Sequence, residues 1–538
     1  MKKALSLMLV GTMTVGLLSA CGKTEEPASS VAESSVESSV EESVEETTEE
    51  EQVAEVGRPE EHVTLKMYFE GANVTDDSEA LAAINDYLDE KLNVTLEPVW
   101  GTWGDFDTNA VLALQGGDDV DIYFTCSWTA NEYGPFAKDG YYVRLDDPDN
   151  NLIEKYGKEV WDILPEVLKI GAEVDGADGR GVYAVPGFKD TAAQYCWDVN
   201  VTKLEELGYT LDDIKSRSFF DFGDIFAAAK EKFGDDFYPL LPEGTVLEEM
   251  VTNCYGVTGD TSEIVYESIN PEDPSKPGAH GTTLVNRFAT DEFKDYAKKV
   301  REYYLAGYID PQVTNSEQSA SVRTNHQLEG SYLIGTQSYA FGYEAQVSKE
   351  RGIDVQFVPT SPAFTNTVTS QGAMMAISTA SKNPERAMMF LNLLNTDPYL
   401  FTLVDFGVEG THYNLNDEGE AVFTDKHADY SLWINGTGNV TLLPPQEGQG
   451  ADFQDKFREF YGNAYSLPTL GWSMNCEEIS DKCAAVANAS AEYALPLDMG
   501  SVDPDDVLEG FIKKLNDNGA EDVVQTANDQ LAEFLAAN

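Results

Sequence analysis

VTLKMYFEGANVTDDSEALAAINDYLDEKLNVTLEPVWGTWGDFDTNAVLALQGGDDVDIYF, residues 63–124, is the stretch that decides the fold. Val63 to Phe69 tends toward apolar–polar alternation, the period of a half-buried strand. Asp76 to Leu92 sets apolar residues at 81, 84, 88 and 92, close to the helical period, behind an Asp/Ser start. Val94 to Trp100 reads as a second strand and Trp103 to Leu114 as a second helix. Gly116-Gly117-Asp118-Asp119 then breaks the chain before Val120 to Phe124, a short buried strand. Strand–helix–strand–helix–strand implies a mostly parallel sheet covered on both faces, an α/β fold.

A second set of such elements lies around Glu329 to Ile334 and Val355 to Pro359. Thr369 to Ser378 reads as a further strand and Pro384 to Leu394 as a further helix. No long Pro/Gly linker separates the halves, so two lobes crossed several times by the chain fit better than separate beads. The expected division is lobe 1 over 61–190, with a return near 366–405, and lobe 2 over 191–365, completed by 406–538.

The amino terminus carries an address. Lys2 and Lys3 precede an apolar run from Ala4 to Leu17, and Leu18-Ser19-Ala20-Cys21 follows. A charged start, a short apolar core and a small-residue cleavage site are what a secretory signal needs, so 1–20 is read as a signal peptide. The run is shorter than the ~20 residues of an ordinary spanning helix. The tetrapeptide resembles the bacterial lipobox, which implies that Cys21 is acylated and becomes the first mature residue. From 21 to about 60 the chain is Glu, Ser, Val and Thr in near-repeats, with no aromatic residue, and is expected to be a disordered acidic tether.

Charge and cysteine usage narrow the classes. Net charge is −60; the signal contributes +2 and residues 22–57 contribute −11, which leaves about −51 on the remaining ~480 residues. Nucleic acid is excluded as a partner, because phosphate binding needs a basic face. Cys126, Cys196, Cys254, Cys476 and Cys483 remain after lipidation, without CxxC spacing, so no disulfide framework is read, and a single bridge stays open without a pair that the sequence selects. The seven-residue separation of Cys476 and Cys483 favours two positions on one helix face over a bridge. The five His are scattered, and no GxSxG, P-loop or HExxH appears, so no metal, cofactor or enzymatic chemistry is expected. Asp175 to Gly179 lacks the ligand spacing of a calcium loop and reads as a hairpin turn.

Several segments carry a resemblance. MYFEGANVTDDSEALAAINDYLDEKLNVTLEPVWGTW at 67–103 and ALQGGDDVDIYFTCSWTANEYGPFAKDGYYVRLDD at 113–147 are similar to the extracellular sugar-binding proteins that serve ABC transporters. GRGVYAVPGFKD at 179–190, ASKNPERAMMFLNLLNTDP at 380–398, DFGVEGTHY at 405–413 and the run from Gly500 to Phe534 continue it in the same order. Within that family the chain resembles the long lipoproteins of Gram-positive bacteria. The resemblance implies two α/β lobes joined by hinge strands and closing on a ligand in the cleft. It also implies a monomer, tethered through Cys21 to the extracellular face of the cytoplasmic membrane, that delivers an oligosaccharide to separate permease subunits.

Ligands of open α/β sheets sit beyond the carboxyl ends of the strands. That rule points to Glu70 after the first strand and to Ser127 and Trp128 after the VDIYF strand. Trp128 is the leading candidate, since an aromatic face packs on the apolar face of a sugar ring. Asn253, Tyr255, Gln337, Tyr339 and Trp472 fall where the resemblance implies ligand contacts on the other lobe. Lys189 and Asp190, leading into the hinge, are placed to bond hydroxyls. Trp100, Trp103 and Trp161 read as core or lobe surface. Two other functions stay open at this level: a peptide-binding lipoprotein, and a secreted glycan-acting enzyme, whose paired carboxylates would arise by chance among 95 acidic residues.

Overall fold

In the computed structural model, which describes residues 58–259, 261, 263–314 and 319–537, Val63–Phe69 and Val94–Trp100 lie parallel, with Val63 opposite Val94 and Phe69 opposite Trp100. The signal peptide, Cys21 and the tether as far as residue 57 lie outside the described residues. Ile122–Thr125 joins the other side of Val63–Phe69, also parallel. Met374–Ile377 and then Ala184–Pro186 complete this five-stranded sheet with antiparallel pairings. The helix Ser78–Leu92 buries Ile84 and Leu88 of the expected stripe, with Ala80 in place of Leu81 and Leu92, which stay half-buried, and ends at Asn93 in the left-handed region (φ 55°).

Three elements differ from the sequence reading. The second helix is Phe106–Gly116, because the Asp105 carboxylate accepts from both the amide and the hydroxyl of Thr102 and folds 102–105 into a turn. Thr367–Ser370 is a helical turn capped by Asn366, which delays the strand to Met374. The helix Ser319–Glu329 fills the place of an expected strand start, and the strand itself is Ile334–Ser338.

The second lobe is built on a four-stranded sheet ordered Val355–Pro359, Tyr195–Asn200, Ile334–Ser338, Leu240–Leu241. Tyr195–Asn200 runs antiparallel to both neighbours, so this sheet is mixed rather than parallel. Each lobe has its own apolar core. Leu65, Met67, Tyr123, Met375 and Leu391 belong to the first, and Val199, Phe226, Leu247, Tyr296 and Phe511 to the second. The expectation that 406–538 completes lobe 2 needs correction. Phe406, Tyr413, Leu432, Phe457 and Tyr461 are buried in the first core, and only from about Trp472 onward does the chain pack on the second. The physical reason is the set of bulky aromatic side chains between 406 and 461, which find their partners against the first sheet.

The chain crosses between lobes in three segments lying side by side. Ala193 bridges Phe364, and Phe364–Thr365 runs parallel to Tyr465–Ser466. A small cluster of Ala193, Tyr255, Ile269, Phe364 and Leu467 stiffens this hinge ribbon. Glu173–Gly176 and Gly179–Val182 form the hairpin read from Asp175 to Gly179.

Cys476 and Cys483 form a disulfide, contrary to the one-helix-face reading. Cys476 precedes a short turn over Glu477–Ile479, and only Cys483 sits on the helix Ser480–Ser490, so the helical spacing argument does not apply. Closing this loop is worth about 2–3 kcal/mol. Titration of the unreduced, denatured domain, residues 58–538, should therefore find three thiols, those of Cys126, Cys196 and Cys254. Five would mean that the bridge does not form.

Candidate ligand-binding site

Three tryptophans from distant parts of the chain meet at the carboxyl ends of the first-lobe strands. Trp128 follows Ile122–Thr125, Trp103 sits in the Thr102–Asp105 turn, and Trp433 comes from an irregular stretch after Tyr430–Ser431. Trp103 and Trp128 are near-parallel with centroids 6.2 Å apart, and Trp433 stands edge-on to both at 5.0 and 5.7 Å. Trp103 is 61% and Trp128 48% exposed, so the cluster presents wide apolar faces to solvent. Large exposed aromatic patches on a soluble chain mark interaction sites.

Local chemistry holds the cluster in place. The Trp128 indole N–H donates to the Gly372 carbonyl at 3.0 Å. Gly71 adopts φ +69°, and a Cβ there would lie 2.8 Å from Trp433 and 2.9 Å from Trp103, so only glycine lets both rings close over this turn. Glu70, just before it, is buried, and one of its carboxylate oxygens has no hydrogen-bond partner. Burial, reinforced by Asp107 and Asp105, pushes its pKa up to about 8.

The sign of the resulting pH effect follows directly. A folded-state pKa above the unfolded value of 4.5 means that the folded chain keeps a proton the unfolded chain releases. Stability from Glu70 is complete below pH 4.5 and is lost as pH rises toward 8. Glu70→Gln should therefore flatten the fall in melting temperature between those limits. An unchanged slope would show that Glu70 is ionised in the fold.

Trp433 also lines a cavity of 480 Å³ that opens between the lobes. Asp190 at the hinge and Gln337 at the end of Ile334–Ser338 line it too, together with Phe341, Phe457 and Tyr461. Lys189 is ion-paired with Asp190 and places its ammonium 5.7 Å from the Trp433 ring centroid. His427 lies on the wall, stacked on Phe423, and burial lowers its pKa to about 4, so it is neutral at pH 7.

The structure thus brings together Glu70, Trp128, Lys189, Asp190 and Gln337. Tyr339 stands close by, edge-on to Phe357 and Phe460, its backbone N–H bonded to Gln194. Ser127 follows the same strand, yet its hydroxyl donates to the Val368 carbonyl and ties the loop to the Asn366-capped turn. The other candidates lie elsewhere. Tyr255 is 2% exposed, its ring stacked on Tyr195 at 5.3 Å and packed against Phe364 in the hinge cluster. Asn253 takes φ 55° to end the helix Val246–Thr252. Trp472 is 4% exposed in the second core. It borders a separate 530 Å³ groove, shared with Thr367, Gly471 and Phe534, beside the last hinge crossing. Tyr255 and Trp472 therefore have no free ring face for a ligand in this structure, a correction to the expectation from their positions.

Two residues of the cluster escaped the sequence reading. Trp103 reads as core or lobe surface from sequence, although Asp105 three residues after Thr102 signals a local turn. Trp433 has no local signal at all; it lies more than 300 residues from Trp128 and reaches it only through the packing of 406–461 on the first lobe. Among the described residues no group of three His, Cys, Asp or Glu is arranged to hold a metal, and no helix is long and apolar enough to cross a membrane.

Residues 71–399 match the family described as bacterial extracellular solute-binding protein, and 468–536 match a domain described as of unknown function. A Streptococcus pneumoniae protein described as a carbohydrate ABC transporter substrate-binding protein is 26% identical over 475 residues, covering 88% of this chain and 91% of the relative. The crystal structure of the N-glycan transport solute binding protein NgtS from S. pneumoniae is 25% identical, with a TM-score of 0.75, covering 88% of this chain and 99% of that one. The complex of NgtS with Man5GlcNAc gives 25% identity and a TM-score of 0.67 over the same coverage.

Proposed function

The chain belongs to the bacterial extracellular solute-binding protein family, and on that premise we propose that it captures an oligosaccharide between its lobes for an ABC importer. The observation that carries the proposal is Trp433, which is shared by the exposed tryptophan cluster and the interlobe cavity. An aromatic face takes the C–H side of a sugar ring, while Asp190, Lys189 and Gln337 offer hydrogen bonds to its hydroxyls. Only the closed arrangement lets both lobes touch one ligand, so binding shifts the population toward closure. The protein binds and releases; it performs no chemistry on the ligand. The carbohydrate description of the S. pneumoniae relative and the glycan bound by NgtS support this reading.

Thermal denaturation of residues 58–538 with oligosaccharides and with short peptides tests it. A glycan at about 100 times its Kd adds about 2.7 kcal/mol of stability. Stabilisation by peptides alone would replace the sugar reading with peptide capture, and hydrolysis of the glycans would move the protein to the enzymes. Cys21 is the anchor in this account, with the acidic tether as spacer. Cys21→Ser should release the protein into the medium, whereas retention at the membrane would remove the anchor.

A further inference from the structure

The cavity wall is chemically unusual for this chain. The protein carries 95 Asp and Glu, yet among the described residues lining the cavity Asp190 is the sole Asp, Glu, Lys or Arg, and it is paired with Lys189. Amides take the place of charges: Gln337, Gln346, Asn435, Gln446, Gln449 and Gln454 all reach the wall. Vicinal hydroxyls of an unsubstituted sugar are best matched by carboxylates and guanidinium groups, through charge-assisted bonds. Carboxamides bond hydroxyls too, but each joins an acceptor and donors on a neutral group, so beside aromatic rings they also match a ligand that carries an amide and a methyl group.

Gln454 gives this match a position. It lies on the helix Phe453–Gly462, one turn before Phe457, and both line the cavity. Its Nε2 donates to the Leu443 carbonyl at 3.0 Å, which fixes the orientation of the amide. Its Oε1 is left buried with no partner. A buried acceptor without a hydrogen bond is costly, so a ligand N–H that reaches it is favoured over an apolar group. Nδ1 of His427, on the same wall, is another buried polar atom with no partner. Gln337 on the other lobe also donates its Nε2 to a carbonyl, that of Ser338 at 2.8 Å, but this bond is exposed.

We propose that the Gln454 end of the cavity takes the 2-acetamido group of an N-acetylhexosamine, with its N–H on Gln454 Oε1 and its methyl against Phe457. The inference rests on the oligosaccharide reading above and narrows it to acetamido sugars. Paired glycans that differ only in this group test it by calorimetry: chitotriose against cellotriose, and Man5GlcNAc against the same mannose chain ending in glucose. The acetamido member of a binding pair should bind at least tenfold more tightly. Gln454→Leu should cut that ratio at least fivefold, with the melting temperature measured alongside. Should that variant not fold, the ratio in the unaltered protein decides alone. Equal affinity within whichever pair binds overturns the acetamido subsite and leaves oligosaccharide capture standing. Failure of all four glycans to bind overturns both.

Discussion

Trp433→Ala should weaken oligosaccharide binding by about 2–3 kcal/mol, roughly 30- to 150-fold in Kd. The ring stands at the junction of the tryptophan cluster and the cavity, 5.0 Å from Trp103 and 5.7 Å from Trp128. A sugar stacked on one face of a large ring removes ~100 Å² of apolar surface from water, and at about 25 cal/mol per Å² that accounts for the loss. Trp433→Phe keeps part of the face and should lose less. Trp472→Ala is the internal contrast, because that side chain belongs to the second core. Its cost should appear in stability, about 3–5 kcal/mol, rather than in the affinity of the folded protein. Isothermal titration and melting curves of the three variants separate these outcomes. Equal loss of affinity at Trp433 and Trp472 would move the site toward the groove beside the last hinge crossing.

Arg287→Met should destabilise the fold by about 3–5 kcal/mol and lower the melting temperature by ~3–10 °C. Arg287 is fully enclosed in the second lobe and makes a two-pronged pair with Asp498 at 2.9 and 3.0 Å and a further contact to Glu248 at 3.1 Å. Its guanidinium lies 4.1 Å from the Phe288 ring centroid. These contacts join the helix Val246–Thr252, the turn Arg287–Ala289 and the helix Ala494–Asp498. Burial pushes the carboxyl groups of Glu248 and Asp498 up, and Arg287 is the group that opposes it. Without the arginine two carboxyls remain in an apolar interior with no counter-charge. The sharper test is the triple replacement Arg287→Met, Glu248→Leu, Asp498→Leu, which removes the charges together. It should regain much of the stability lost by the single variant; a triple variant as unstable as Arg287→Met would assign the loss to packing instead. Glycan affinity below the melting transition should be unchanged in both, since none of the three side chains lines the cavity.

The first sheet was legible because its signals are local. Val63–Phe69 and Val94–Trp100 occupy the residues that the sequence pattern assigned, and the helix between them buries Ile84 and Leu88 of the four expected positions. Trp128 was legible for a related reason: a residue just past the end of a buried strand has few places to go. Lobe membership of 406–461 depended on partners hundreds of residues away, and aromatic residues such as Phe457 and Tyr461 carry no mark of which core they will join. Trp433 inherits that blindness. The Cys476–Cys483 bridge was hidden by a spacing that suits a helix face as well as a loop, and the start of the helix at Ser480 decides between them. Tyr255 and Trp472 show the reverse failure, in which an aromatic side chain near a hinge is spent on packing.

A crystal structure of residues 58–538 with a saturating N-glycan tests the central claim most directly. The account predicts a sugar ring stacked on Trp433, with contacts from Gln337 on the second lobe and Asp190 at the hinge. A glycan bound in the groove beside Trp472, or held by one lobe alone, would contradict it.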